Sequence, residues 1–278
     1  MRALVVYKKS KYDLYSASPD AAVRDYVQGS DEHALRIRSS HQTHQRSLET
    51  VLHTLDAAGV EYDAVWRPDL KRAHGADIII TVGGDGTFLD ASHYTRTTPM
   101  IGVNSDPSMS VGHFCCTDAA GFERALGRLD DLQRIQYSRL SVAIDDEVLH
   151  ELALNEVFFA HNNPAALTRY GFTADGRHEE VKSSGLIMCA AAGSTGWMLN
   201  AGGEVMMPAD RRIQYLHRDA LRRPGFATAA EVMSHTREGM IYIDGEHITH
   251  PLSIGQRLSV TPDEPLTVLS VIPTQIYK

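Results

Sequence analysis

Three cysteines are few for a chain of 278 residues, and two of them, Cys115 and Cys116, are adjacent, with Cys189 far along. An odd count at that spacing is not a disulfide framework, and it offers no Cys-x-x-Cys pair to grip zinc. A reducing cytoplasm is the compartment expected. Basic residues are not in excess either: 27 Lys and Arg stand against 35 Asp and Glu, a formal charge of −8. That balance argues against a nucleic-acid or membrane surface as partner. A phosphate ligand would therefore be held by local amides and a metal ion. No apolar run approaches the roughly 18–20 residues that span a bilayer. The opening run Met1–Tyr7 is too short for a signal peptide and is closed at once by Lys8-Lys9, so it reads as a first strand. The 14 histidines are scattered, without His-Glu-x-x-His. No Gly-x-x-x-x-Gly-Lys-Ser/Thr loop occurs, and Gly84-x-Gly86 lacks the third glycine of the dinucleotide fingerprint.

What is present suffices for one large domain or two ordinary ones: 43% hydrophobic and 22% charged residues. Its most informative segment is Gly83-Gly84-Asp85-Gly86-Thr87, which follows the β-branched run Ile78-Ile79-Ile80-Thr81-Val82. Such a run reads as a buried strand. Three glycines then give a tight turn, with positive φ available to them, and Thr87–Ala91 reads as a helix start. A glycine turn feeding a helix N-terminus presents free N–H groups that favour phosphate. Asp85 would repel that phosphate, unless it accepts the proton of a hydroxyl that attacks a phosphoryl group. The plain alternative is a tight turn without function.

The first half alternates strands (Ala3–Tyr7, Val60–Trp66, Ala76–Val82, Met100–Val103) with helices (His41–Gly59, and Asp118–Leu129 with Asp118 as N-cap). That order implies a Rossmann-like parallel sheet whose ligands bind beyond the strands' carboxyl ends, where Gly83–Thr87 and Asn104 lie. Residues 9–40 are polar; a loop, a solvated insert and a hidden helix are open, and a loop of that length is uncommon. From about Tyr137 the texture changes to short strands: Leu140–Ile144, Leu149–Phe159, Leu167–Ala174, Gly185–Ala191, Met240–Ile243, Leu252–Ile254 and Arg257–Thr261. They imply a β-rich, sandwich-like second domain. Ala209–Arg222, and more weakly Thr228–Glu231, read as its helical interruptions. The domains expected are 1–136, 137–261, and a tail 262–278, with the closing strand Leu266–Ile272, returning to the first.

Three further segments share the first motif's character. Asn155-Glu156 lies in the strand-like run Leu152–Phe159, where polar residues facing a core need partners; a solvent-facing edge pair is the alternative. Lys182-Ser183-Ser184-Gly185 leads through Ala190-Ala191-Ala192 to Gly193-Ser194-Thr195-Gly196-Trp197, whose hydroxyls and amides suit a ribose or phosphate, or simply cap a helix. Ile243-Asp244-Gly245-Glu246 reads as a hairpin turn.

Together these segments resemble the NAD kinase family, in order and spacing and over nearly the whole chain. Gly83–Thr87 matches its Gly-Gly-Asp-Gly-Thr motif, Asn155-Glu156 its Asn-Glu/Asp pair, Gly193–Thr195 with Asn200–Gly203 its Gly-Ser-Thr…Ala-Gly-Gly stretch, and Asp244-Gly245 its late Asp-Gly. Gly102–Pro107, Gly112-His113 and Lys182–Leu186 are similar to the mitochondrial-type branch. The common bacterial pattern has Asp-Gly-Leu at Ser184–Leu186, Thr-Pro-Thr at Ala190–Ala192 and Ala-Tyr at Gly196-Trp197. These departures fall where the family holds the dinucleotide, and they bear on preference for its oxidised or reduced form.

The resemblance implies transfer of the γ-phosphoryl group of ATP to the 2′-hydroxyl of the adenosine ribose of NAD. Asp85 would be the catalytic base, and Gly84, Gly86 and Thr87 would cradle donor phosphates. Asn155 and Glu156 would bind the adenosine end of NAD, Glu156 also helping to recruit the metal. Ser184, Ser194, Thr195, Gly196, Trp197 and Asn200 would line the dinucleotide cleft between the domains, with Asn104 at its rim. Mg²⁺ is the cofactor implied, and a homodimer or homotetramer the form; the cytoplasm is expected from the cysteines and from the lack of a targeting segment. A lipid kinase sharing the glycine motif and a non-catalytic dinucleotide-binding regulator are the rival readings.

Overall fold

Strands buried on both faces, as Ile78–Val82 is, belong to parallel sheets covered by helices. The computed structural model describes residues 1–71 and 75–270. It divides into two units, one of Met1–Arg134 with the chain from Thr267, the other of Ile135–Leu266.

In the first unit the described order is β1 (Arg2–Tyr7), α1 (Lys11–Ser16), α2 (Ala21–Gln28), α3 (Glu32–Ala57), β2 (Glu61–Trp66), β3 (Ile78–Gly83), α4 (Asp85–Ser92), β4 (Met100–Asn104), β5 (Cys115–Asp118) and α5 (Ala119–Leu126). The sheet order is β2-β1-β3-β4-β5, all parallel. Val5, Ile80, Val82 and Val103 pack with Val51 and Leu55 of α3 and Phe122 of α5. Residues 9–40 are helical through most of their length. Ser10 and Asp13 form a capping box for α1, Asp20 caps α2, and Asp31 caps α3 by accepting from the His33 and Ala34 amides. Helix α3 begins at Glu32, nine residues before His41, because Ala34 and Ile37 extend its buried stripe through a charged sequence. Asp118 caps α5 by accepting from Gly121 N–H at 2.9 Å.

The second unit carries β6 (Gln133–Ile144), β7 (Glu147–Ala153), β8 (Glu156–His161), β9 (Thr168–Ala174), β10 (Arg177–Ser183), β11 (Leu186–Cys189), α6 (Trp197–Asn200), β12 (Ile213–His217), β13 (Gly225–Ala227), β14 (Ala230–Ser234), β15 (Gly239–Ile243), β16 (Ile248–Leu252) and most of β17 (Arg257–Ser270). One sheet runs β10-β9-β14-β17 with β6 and β7 beyond β17; the other runs β13-β12-β11-β8-β15-β16. Their inner faces share one core, including Phe159, Met188 and Ile241 from one sheet and Phe172, Val232 and Leu258 from the other. This is a β-sandwich. The end of β17, from Thr267, belongs to the first unit, where Val268 stands opposite Met100 in parallel.

Several elements differ from expectation. Ala209–Arg222 is not a helix: it holds β12, a strand between β11 and β13. Its buried polar residues have partners inside: Gln214 bonds both backbone groups of Glu204, and His217 meets Tyr170 through Nδ1 (2.8 Å) and lies 3.0 Å from a Glu179 carboxylate oxygen through Nε2. Thr228–Glu231 lies at a turn and the start of β14. Leu149–Phe159 is two strands, parted at Leu154-Asn155. The charged segment Arg177–Ser183 is a strand, β10, at a sheet edge. Arg257–Thr261 and Leu266–Ile272 are one strand as far as Ser270; Val271 and Ile272 lie outside the described residues.

Candidate active site

In the first unit, β3 delivers Gly83 and Gly84 directly to α4, whose first residue is Asp85. A carboxylate in the first turn suits the positive end of the helix. None of the three glycines has positive φ, and Gly84 is extended at φ −116°. Close packing is the reason for two of them. A Cβ on Gly83 would lie 2.2 Å from Thr87 Oγ1, and one on Gly84 would lie 2.6 Å from Ser110 Oγ. Gly86 is exposed, and a Cβ there would meet only Arg67 Nη1 at 3.6 Å. Thr87 differs from its expected role: its side chain is buried against Gly83 and its amide donates to Gly84 O at 3.0 Å. The exposed rim of the turn is left to Gly86, with Gly84 and Asp85 half-buried.

Asp85 Oδ1 accepts from Phe114 N–H at 2.9 Å, and the Phe114 ring stacks on Phe88 of α4 at 5.0 Å. Cys115 lies beside Asp85; burial first, and that carboxylate second, push its thiol up to about 12. The thiol is thus neutral near pH 7. Asn104 organises the loop after β4: its Nδ2 donates to Ser110 O (2.9 Å) and its Oδ1 accepts from Asp106 N–H (3.1 Å). Gly112, at φ +65°, lets that amide approach. Asn104 therefore shapes the rim from beneath, with both ends of its amide engaged.

The same strand ends bring charges together that the motif reading missed. Lys8 follows β1, Arg67 follows β2 and Asp106 follows β4. Lys8 is half-buried; burial lowers its ammonium from the ordinary value, and the Asp106 carboxylate opposes that. The Arg67 guanidinium pairs with Asp90 of α4 at 3.0 Å and adds to the positive field at Lys8. Buried Asp106 accepts from Ser40 and Ser108 hydroxyls, each at 2.6 Å. Their shared signal in the sequence is position: each stands just past a parallel strand's carboxyl end.

In the second unit, Asp244 occupies the β15–β16 turn at φ +50°. Its carboxylate accepts from three consecutive amides, Leu154 (2.7 Å), Asn155 (2.8 Å) and Glu156 (2.9 Å). The hairpin turn thereby fixes the break between β7 and β8. Asn155 O accepts from Ala190 N–H at 2.8 Å, and Gly193 packs so near that a Cβ would lie 2.2 Å from that oxygen. Asn155 Oδ1 is buried without a hydrogen-bond partner. An acceptor of that kind is open to a donor from water or a ligand. Burial first, and Asp244 second, raise the Glu156 carboxyl to about 7.

The hydroxyls after Gly193 are spent locally. Ser194, fully buried, donates to Ala191 O at 2.6 Å and accepts from Met206 N–H at 2.8 Å; Thr195 donates to Ala192 O at 3.1 Å. Both hydroxyls hold the loop's shape, Ser194 with its donor and an acceptor position engaged and Thr195, half-buried, with its donor alone. Gly196, Trp197 and Asn200 are exposed. Ser184 lies half-buried, its amide donating to Arg218 O at 3.1 Å. The Arg218 guanidinium lies 5.5 Å from the Trp197 ring and 5.4 Å from Phe158, and those rings are 4.8 Å apart. Ser184 and Trp197 are thus joined through Arg218. Behind them a buried relay runs from Ser183 to Tyr170 (3.0 Å) and on to His217 (2.8 Å).

Residues 12–128 match the ATP-NAD kinase N-terminal domain. A probable NADH kinase of Oryza sativa subsp. japonica is 31% identical over 273 residues, covering 85% of this chain and 84% of that protein. The mitochondrial NAD kinase 2 of Rattus norvegicus is 29% identical over 255 residues, 72% of this chain and 60% of that protein. A crystal structure of an NAD kinase from Archaeoglobus fulgidus in complex with ATP has the same fold, with a TM-score of 0.68 at 21% identity, over 97% of this chain and 94% of that one.

Proposed function

The chain belongs to the NAD kinase family, and from that premise we propose that it transfers the γ-phosphoryl group of ATP to the 2′-hydroxyl of the adenosine ribose of NAD, or of NADH, to form the corresponding 2′-phosphate. The observation that carries this reading is Asp85 at the first position of α4, one residue past the glycine pair that ends a buried parallel strand. In the step proposed, Asp85 takes the proton from the 2′-hydroxyl as its oxygen bonds to the γ-phosphorus, and the β–γ bridging oxygen leaves with ADP. General-base assistance of this kind supplies about 10²–10⁴-fold. The Gly84 and Gly86 backbone lies along the donor phosphates, with Lys8 and Arg67 as neighbouring cations. Asn155 and Glu156 receive the adenosine end of the acceptor; the unpartnered Asn155 Oδ1 supports this, since an adenine amine is the donor it lacks. Gly196, Trp197, Asn200 and Ser184 contact the rest of the dinucleotide, while Ser194 and Thr195 hold that loop and Asn104 holds the other.

Mg²⁺ is the ion we propose. Among the described residues no three His, Cys, Asp or Glu side chains group as a cage, so phosphate oxygens and water would complete a shell to which Asp85 or Glu156 adds an oxygen. When bound, the ion neutralises charge on the transferred group. A homodimer or homotetramer in the cytoplasm is the form proposed.

The test is an NADP-formation assay with purified protein, ATP and Mg²⁺, with NAD and NADH side by side. Turnover of either supports the reading. Phosphorylation of a dispersed lipid but of neither dinucleotide would establish the lipid-kinase alternative, and dinucleotide binding without turnover the regulatory one.

A further inference from the structure

Three buried polar side chains of the second unit, Tyr170 of β9, Ser183 of β10 and His217 of β12, form one chain that the proposed step leaves unused. Tyr170 Oη lies 3.0 Å from Ser183 Oγ and 2.8 Å from His217 Nδ1. Glu179 and Arg222 continue the chain to the surface: one Glu179 oxygen lies 3.0 Å from His217 Nε2, and the other pairs with Arg222. β9 and β10 belong to one sheet and β12 to the other, so Tyr170 reaches across the sandwich. A phenylalanine would fill the same space without burying a hydroxyl. The hydroxyl therefore needs a reason.

Burial lowers the His217 imidazolium from its ordinary value, with Glu179 opposing that and Arg222 adding to it, so the ring is neutral near pH 7. A carboxylate oxygen faces Nε2, so the ring proton sits there and Nδ1 accepts from the Tyr170 hydroxyl. The Tyr170 oxygen is thereby turned, as an acceptor, to Ser183. Ser183 Oγ in turn donates to Gly185 O at 2.9 Å and accepts from Gly185 N–H at 3.2 Å. The chain thus ends on Ser184-Gly185, the connection by which the backbone leaves β10 in one sheet and enters β11 in the other. Gly185 holds φ +132°, and a Cβ there would lie 2.6 Å from the Phe158 ring. Gly185 O also accepts from Arg218 N–H at 2.8 Å, and Ser184 N–H donates to Arg218 O at 3.1 Å. His217 therefore steers this connection twice, through Tyr170 with Ser183 and through its chain neighbour Arg218.

We propose that Tyr170 and His217 are positioning residues for the dinucleotide acceptor. Through Ser183 they hold Ser184 and Gly185 in the shape that receives the part of the dinucleotide beyond its adenosine. Both act from the interior, without touching the ligand. A buried polar network whose members are all engaged fixes one arrangement of the backbone it serves, and here that backbone is a two-residue connection outside either strand. The inference rests on the placement of Ser184 at the acceptor site proposed above.

The test is calorimetric binding of NAD, NADH and Mg²⁺-ATP, each titrated separately, which needs no turnover. Tyr170→Phe removes the hydroxyl and keeps the ring beside Phe159 and His217, at 5.7 and 5.8 Å. It should weaken dinucleotide binding by about three- to tenfold, the worth of one hydrogen bond, and leave ATP binding as in the wild type. Ser183→Ala should do the same. The double variant should bind no more weakly than the weaker single one, because both changes break one chain. His217→Asn, whose amide reaches the place of Nδ1, should keep the affinity that His217→Leu loses; that pair carries the test if Tyr170→Phe does not fold. Unchanged dinucleotide affinity in Tyr170→Phe, equal losses for dinucleotide and ATP, or single losses that multiply in the double variant would overturn the inference. So would equal dinucleotide affinities for His217→Asn and His217→Leu. Failure of the function looks different: a wild type that binds ATP but neither dinucleotide contradicts the acceptor reading itself. A wild type that forms NADP, with Tyr170→Phe binding dinucleotide as tightly, contradicts the positioning role alone.

Discussion

At the residue scale, Glu156 and Asp244 meet at the strand break 154–155 with unequal settings. Asp244 is tied down by three amides, whereas burial holds the Glu156 carboxyl at about 7, against an ordinary value of 4.5. The folded protein thus keeps a proton on Glu156 that the unfolded chain gives up between pH 4.5 and 7. Any stability gained there is full below the lower value and is lost as pH rises through the upper one. Glu156→Gln should therefore raise the melting temperature at pH 8, and the gain should close as pH falls towards 5. Ionised Glu156 is also the better acceptor for a ribose hydroxyl. The kcat/KM for NAD should climb through pH 7 in the wild type and run flat in the variant; an unchanged profile would remove Glu156 from the acceptor site. Asn155→Ala should raise KM for NAD more than KM for ATP, and equal rises would count against its placement. Asp244→Ala strands three amides and should cost about 3 kcal/mol or more in denaturant unfolding, since hydrogen bonds to charged groups are the strong ones.

At the scale of elements, the turn from β3 to α4 makes a sharper test than its motif suggests. Gly83 is forced by packing against Thr87, a Cβ on Gly84 would have to displace the Ser110 hydroxyl, and Gly86 has room for a Cβ. Gly83→Ala should destabilise the fold by about 1–3 kcal/mol through overpacking against Thr87. Gly86→Ala should leave the melting temperature unchanged or slightly higher, because alanine is the better helix former, yet it should raise KM for ATP. An unchanged KM would show that no phosphate passes close to that residue. The elements also mark where the sequence was legible. β3 and β4 carry uninterrupted apolar runs, and α5 has its Asp118 cap, so each was readable. The start of α3 was hidden because only Ala34 and Ile37 face inward among charges. β12 was hidden because Gln214 and His217 sit in the interior on partners distant in sequence, and such partners leave no local trace. The site divides similarly. Asp85 and the Asn155-Glu156 pair stood in motifs, whereas Lys8, Arg67 and Arg218 became visible only when strand ends and sheet neighbours were brought together. The inward turn of Thr87, Ser194 and Thr195 was beyond reach, because a hydroxyl's direction depends on carbonyls that the fold brings to it.

At the scale of the whole molecule, two units of different construction divide the work proposed: a parallel α/β sheet that bears the donor residues and a β-sandwich that bears the acceptor residues. With a formal charge of −8, the chain has no general positive field, so the proposed anionic substrates would depend on local cations and amides. Sedimentation should give a dimer or tetramer of the 30.7 kDa chain, and a monomer at micromolar concentration would contradict the assembly proposed. The central claim is that Asp85 takes the proton of the attacking hydroxyl. Asp85→Asn keeps an Oδ1 to accept from Phe114 N–H, so the turn should survive. The measurement is kcat for NADP formation by this variant, alongside its calorimetric affinity for ATP. A fall in kcat of about 10²–10⁴-fold with ATP affinity preserved is the result predicted. A kcat near that of the wild type would contradict it.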